Sequence, residues 1–155
     1  MTVEATGPEG GSEQSLEPVA DLWATVDLER ALREHGSTSA EAEAAVAAAV
    51  PDPHLGARVA VIDGGDGGLL ALAEPATEGR LAASLARNGE GPAGRYLAVR
   101  GGDTLEAYRR RAQAAGVAVS RIETGPLGPS ALLIGRPVTG PHVVVVEWRS
   151  LPSRP

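Results

Sequence analysis

At 155 residues the chain has room for one domain with a substantial core, or for two half-domains that share one, and not for two independent domains. It contains neither Lys nor Cys, which excludes Schiff-base lysine chemistry, thiol nucleophiles, disulfides and thiolate metal sites. The net charge of −6 arises largely in the first 17 residues, where Glu4, Glu9, Glu13 and Glu17 have no basic partner, and the nearly balanced remainder is not built to hold nucleic-acid phosphates.

Residues 1–17 are rich in Gly, Glu, Ser and Thr, lack apolar periodicity and are read as an acidic disordered tail. A first module spans 18–76. In it Ala20 to Val26 is predicted as a strand, followed by a short helix through Leu28, Ala31 and Leu32 that Asp27 caps and Gly36 ends. Ser39 precedes an Ala-rich helix over Ala40 to Val50, closed by Pro51 and Pro53. Ala57 to Asp63 and Leu69 to Ala73 are predicted strands joined by the Gly-rich turn 64–68. A linking segment, 77–94, holds a helix from about Glu78 to Asn88 with Leu81 and Leu85 on one face and Gly89 as its stop.

The second module, 95–149, repeats the order. Arg95 to Arg100 is predicted as a strand, Asp103 or Thr104 as a cap, and Leu105 to Ala115 as a helix that turns Leu105, Tyr108, Ala112 and Ala115 inward. Val117 to Ile122, Ala131 to Ile134 and Val143 to Trp148 are read as three more strands, and 150–155 as a short tail. The duplication is one of element order, with no residue-level repeat.

Motif by motif, little chemistry is declared. Gly89-Glu-Gly91-Pro-Ala-Gly94 matches the GxGxxG pattern, but it follows a helix and precedes a strand, the reverse of what a dinucleotide phosphate needs. No Ser sits in a nucleophile elbow, and His35, His54 and His142 are too scattered for a triad. His35 ends a helix, where a positive ring faces free carbonyls, and His54 lies in a Pro-flanked loop read as solvated. Arg109, Arg110 and Arg111 point in different directions on a helix and are read as a solvated face. No apolar run reaches membrane-spanning length and the N-terminus lacks a secretory h-region, so the expected location is cytoplasmic, without membrane or nucleic-acid partners.

Three segments, Leu55-Gly-Ala-Arg-Val-Ala-Val-Ile62, Leu70-Ala-Leu-Ala-Glu-Pro75 and Leu85-Ala-Arg-Asn-Gly-Glu-Gly91, stand in the order and spacing of the central stretch of methylmalonyl-CoA epimerases. With Leu105 to Val117 and Val143 to Glu147, they make the chain resemble the vicinal oxygen chelate superfamily of glyoxalase-like, bleomycin-resistance-like and epimerase-like proteins. The resemblance implies an α+β fold: two strand-helix-strand-strand-strand modules whose curled mixed sheets surround an open cleft, paired as a homodimer. Family enzymes hold a divalent metal there with four side chains, and the metal stabilises an enolate while a carboxylate moves a proton.

Carried onto this sequence, those four ligand positions are Ala20, Ala71, Tyr96 and Val145. A shift of register would bring Asp21 to the first and Glu147 to the last. Catalytic metals take about three protein ligands with one position open, so no metal and no other cofactor is expected. The remaining candidates are Glu147, Asp21 and Tyr96 as acid, base and oxyanion donor, with Trp23, Ala71, Glu74, His142 and Trp148 lining the cleft for a small-molecule ligand.

The expected function is metal-independent proton transfer or rearrangement on a carbonyl compound such as an acyl thioester or a secondary metabolite, an isomerase- or lyase-like activity. The alternatives are non-catalytic binding or sequestration of an antibiotic-like molecule, and metal-dependent epimerase or glyoxalase chemistry if the ligands stand elsewhere.

Overall fold

The computed structural model describes residues 16–147 except 66 and 101. The expected tails, most of residues 1–17 and all of 150–155, lie outside them. Among the described residues eight strands and four helices follow in the order β1 (Leu16–Ala24), α1 (Leu28–Glu34), α2 (Ser39–Ala47), β2 (Val50–Asp52), β3 (Ala57–Asp63), β4 (Leu69–Pro75), α3 (Arg80–Asn88), β5 (Gly91–Val99), α4 (Leu105–Ala114), β6 (Glu123–Gly125), β7 (Gly128–Leu132) and β8 (His142–Glu147). No helix among the described residues is long and apolar enough to cross a membrane.

All strands form one mixed sheet of order β2-β3-β4-β1-β5-β8-β7-β6. The two halves of this order are related by exchange of β1–β4 with β5–β8, the duplication that element order predicts. β1 runs parallel to β4, β5 runs parallel to β8, and β1 and β5 join the halves as an antiparallel pair.

Strand side chains alternate between faces, and this period sorts the core. The concave face gathers Ala20, Leu22 and Ala24 of β1, Ala57 and Val59 of β3, Ala71 and Ala73 of β4, Tyr96 and Ala98 of β5, and Val144 and Val146 of β8. On the convex face of the first half, Leu28, Ala31 and Leu32 of α1 and Ala42 of α2 cover Ala60 and Leu72. On that of the second, Leu105, Tyr108 and Ala112 of α4 cover Leu97, Val99, Val143 and Val145. Burying each Leu contributes about 1.5–3 kcal/mol.

Local signals set the helix ends. Asp27 accepts from Arg30 N, Thr104 accepts from Ala107 N, and Thr38 with Glu41 forms a reciprocal capping box. Three expectations are corrected. The Ala-rich helix expected to reach Val50 stops at Ala47, and Val50–Asp52 instead pairs with Ala57–Val59 at a sheet edge, where the missing N–H of Pro51 is tolerated. Val117 to Ile122 is not a strand but contributes a single bridge, Val119 to Leu133, before the short β6. The helix expected to start near Glu78 begins at Arg80, after Gly79 takes extended geometry.

Candidate functional site

Two rows of residues cross the four central strands. One is Leu69, Ala20, Tyr96 and Val144; the next is Ala71, Leu22, Gly94 and His142. Tyr96 and His142 are the polar members of these rows. Tyr96 is fully buried and donates its phenol hydrogen to Asp52 Oδ2 at 2.7 Å. Burial, the Asp52 charge and this bond together push the phenol pKa well above its usual value, so the group stays protonated.

Asp52 is fully buried at the end of β2, and its other oxygen accepts from His54 N at 3.0 Å. Flanked by Pro51 and Pro53, Asp52 carries no local sequence sign of a buried carboxylate. The neighbouring His54 is not a solvated loop residue: its Nε2 lies 3.0 Å from the Ser130 carbonyl on β7 and its Nδ1 lies 3.4 Å from Ser120 Oγ. The two hydrogen bonds from Asp52 and His54 tie one end of the sheet to the other half, so the sheet curls nearly closed.

His142, expected to line the cleft, is 1% exposed. Its Nε2 lies 3.0 Å from Ser84 Oγ, and Ser84 in turn donates to the Thr139 carbonyl at 2.7 Å. Burial, then the nearby Arg80 guanidinium, lowers the imidazole pKa; the Arg80 main-chain carbonyl and Asp52 oppose the shift without reversing it. The ring is therefore neutral at pH 7. Its Nδ1 and the Nη1 of Arg80 are both buried without a hydrogen-bond partner. Ser84 was legible as a polar residue between the inward Leu81 and Leu85, and Arg80 as its neighbour one helical turn away.

Gly94 makes the approach of β5 to β8 possible. Its φ is +149°, and a Cβ there would stand 2.0 Å from the His142 carbonyl oxygen.

Several expected cleft residues lie elsewhere. Asp21 is exposed on the convex side of β1, and Trp23, also on that side, packs on the α1 cluster with its ring edge-on to His35 at 5.2 Å. Glu147 shares the parity of Val143 and Val145, so it points to α4 and accepts from Leu105 N at 2.8 Å. Glu74 does the same in the first half, accepting from Leu28 N at 2.7 Å while its other oxygen meets Arg58 at 3.1 Å. Both carboxylates complement the positive end of a helix. Ala71 is on the concave face as expected, Val145 is not, and Trp148 lies outside the described residues.

Other motifs also have structural uses. Glu90, in the Asn88 to Gly91 segment, accepts from Thr25 Oγ1 at 2.5 Å, from Arg30 at 2.7 Å and from Val26 N at 3.2 Å. Those bonds, led by Thr25, lower its pKa to about 2. Arg109 donates to the Ser120 carbonyl, while Arg111 bonds to Asp103.

The donor set does not fit the divalent metal that the resemblance implies. Of the rows where ligands would converge, one oxygen belongs to a phenol held protonated and one nitrogen to an imidazole bonded to Ser84; the rest are aliphatic side chains or Gly. Among the described residues no three His, Cys, Asp or Glu side chains form a group that could hold a metal ion.

No protein-family model matches the sequence, and no curated protein is significantly similar to it. Solved structures are. Methylmalonyl-CoA epimerase from Mycobacterium tuberculosis superposes with a TM-score of 0.64 at 18% identity, over 84% of this chain and 87% of that one. The Streptomyces coelicolor methylmalonyl-CoA epimerase in complex with 2-nitronate-propionyl-CoA gives 0.62 at 21%, over 84% and 96%. A hypothetical protein from Bacillus halodurans gives 0.63 at 18%, over 90% and 99%. The order, curl and half-to-half duplication of the sheet, matched along nearly the whole of these chains, give this protein the vicinal oxygen chelate fold of the methylmalonyl-CoA epimerases.

Proposed function

We propose that the chain binds a small organic molecule on the concave face of its sheet without a divalent metal, as a non-catalytic member of this fold. The observation that carries the reading is the fate of the acids. A carboxylate that moves a proton beside a carbonyl must be free to act, yet Glu147 and Glu74 are bonded to helix N-termini on the convex side and Asp52 is held by Tyr96 and His54. The concave face carries apolar side chains, packed together with Leu81 of α3, and the polar Tyr96 and His142, a composition of the kind that holds small organic molecules. The Streptomyces coelicolor epimerase structure contains an acyl-CoA analogue, which makes acyl thioesters the first class to try. We also propose a homodimer, the assembly that the resemblance implies.

One observation favours a second reading, metal-independent turnover: the neutral His142 with its free Nδ1 could accept a proton while Arg80 stabilises an enolate. Two experiments separate these. Propionyl-CoA and methylmalonyl-CoA are titrated by calorimetry into protein whose metal content is measured by elemental mass spectrometry. The same mixtures are then incubated in D₂O and the thioesters analysed for α-deuterium. Binding without exchange supports the first reading and exchange the second. Near-stoichiometric metal, or no binding of any thioester or carbonyl compound tried, overturns the proposal.

A further inference from the structure

Arg80, Ser84 and Asn88 recur every four residues and share one face of α3. That face lies against residues 139–142: Ser84 and Asn88 both donate to the Thr139 carbonyl, and Ser84 meets His142 Nε2. Arg80 continues the row one turn toward the helix N-terminus. Its Nη1 is buried with no partner, and so is His142 Nδ1, the ring nitrogen not facing Ser84. Buried polar nitrogens in folded proteins are bonded to protein, water or ligand, because an unpaired one forfeits its hydration. No carboxylate lies within salt-bridge distance of Arg80 among the described residues, and Asp52, whose charge acts on the His142 ring, is already bonded to Tyr96 and His54.

We infer that Arg80 and His142 form a carboxylate subsite within the concave face, Arg80 Nη1 donating to one oxygen and His142 Nδ1 to the other. This rests on the reading that the face binds a small organic molecule, and it deepens that reading by naming the group recognised. Ser84 gives its only hydrogen to the Thr139 carbonyl, so the neutral ring carries its proton on Nε2 and Nδ1 lacks one. A bound carboxylate would be accompanied by uptake of one proton from solvent at Nδ1. The charged groups that face this ring are Arg80 from α3 and Asp52 from β2, and the ligand would add a second negative neighbour. Two donors match the two oxygens of a carboxylate. A phosphate would leave a third charged oxygen against aliphatic side chains, which disfavours it.

Nuclear magnetic resonance of the full chain, labelled with ¹⁵N-histidine, tests this, with His35 and His54 as internal references. Sodium malonate at constant ionic strength is expected to shift the His142 ring signals and to raise its titration midpoint by about one unit or more. Arg80→Gln is expected to weaken that response at least about ten-fold, one unit of the same scale, while the circular dichroism and the His35 and His54 signals stay as in the wild type. A His142 midpoint unmoved by malonate would leave ordered water as the partner of both nitrogens and would overturn the inference. An Arg80→Gln response equal to wild type, or a stronger response to inorganic phosphate than to malonate, would overturn it as well. The ligand-binding reading fails separately: thioester binding with no malonate effect on His142 removes the subsite and leaves that reading standing, and the converse removes thioesters as the ligand class.

Discussion

Tyr96→Phe isolates one bond at the centre of the concave face. The substitution keeps the ring, so it opens no cavity, and it removes only the hydroxyl that donates to Asp52 at 2.7 Å between two fully buried residues. A hydrogen bond to a charged group is worth about 1.5–3 kcal/mol, and its loss leaves a buried carboxylate oxygen unpaired while His54 N still serves the other. For a chain of this size each kcal/mol moves the melting temperature by about 2–4 °C, so a loss of about 2 kcal/mol lowers Tm by roughly 4–8 °C. Calorimetry at pH 7 and urea unfolding followed by circular dichroism measure it. The pH dependence gives an independent check. The folded phenol pKa lies above its unfolded value of about 10, so the contribution is complete below that pH and is lost as pH rises toward the folded value. The stability gap between wild type and variant should therefore be constant from pH 7 to 9 and shrink above about pH 10. A Tm within 1 °C of wild type (roughly half a kcal/mol or less), or a gap unchanged at high pH, would refute the assignment of a buried, stabilising Tyr96–Asp52 bond.

Glu147→Ala and Glu74→Ala should each cost about 0.5–2 kcal/mol in urea unfolding, the usual price of a lost helix cap, whereas Glu147→Gln should leave any thioester binding isotherm as it was; a Gln variant that no longer binds would return Glu147 to the site. Glu90→Gln should flatten the acid limb of stability. The folded pKa of about 2 lies below the usual glutamate value of about 4.3, so the Glu90 contribution is present above the latter and lost as pH falls toward the former. Equal slopes for wild type and variant over that range would contradict the network of Thr25, Arg30 and Val26. Gly94→Ala should destabilise by about 3 kcal/mol or more, because its Cβ would meet main chain, not a movable side chain; a melting temperature within 2 °C of wild type would show that β5 and β8 separate easily.

Much of this protein is local physics and was legible in the chain. Caps at Asp27 and Thr104, stops at Gly36 and Gly89, and the apolar runs in 57–63 and 142–147 each act within a few residues, so they could be read one after another. Element order then sufficed for the duplicated fold, and the sequence placed Ala71 and Tyr96, not the usual ligand types, at positions where the resemblance implies metal ligands. The tertiary structure alone decided which face each strand residue takes and which distant groups meet. A single-residue difference in parity turned Glu147 from a candidate acid on the cleft into a cap on α4, and the same parity carried Asp21 to the outer side. Asp52 and Tyr96, 44 positions apart, and Ser84 and His142, 58 apart, become partners only when the sheet curls. Pairings of that separation are set by loop closure and packing of the whole domain, for which no short stretch of sequence carries a signal.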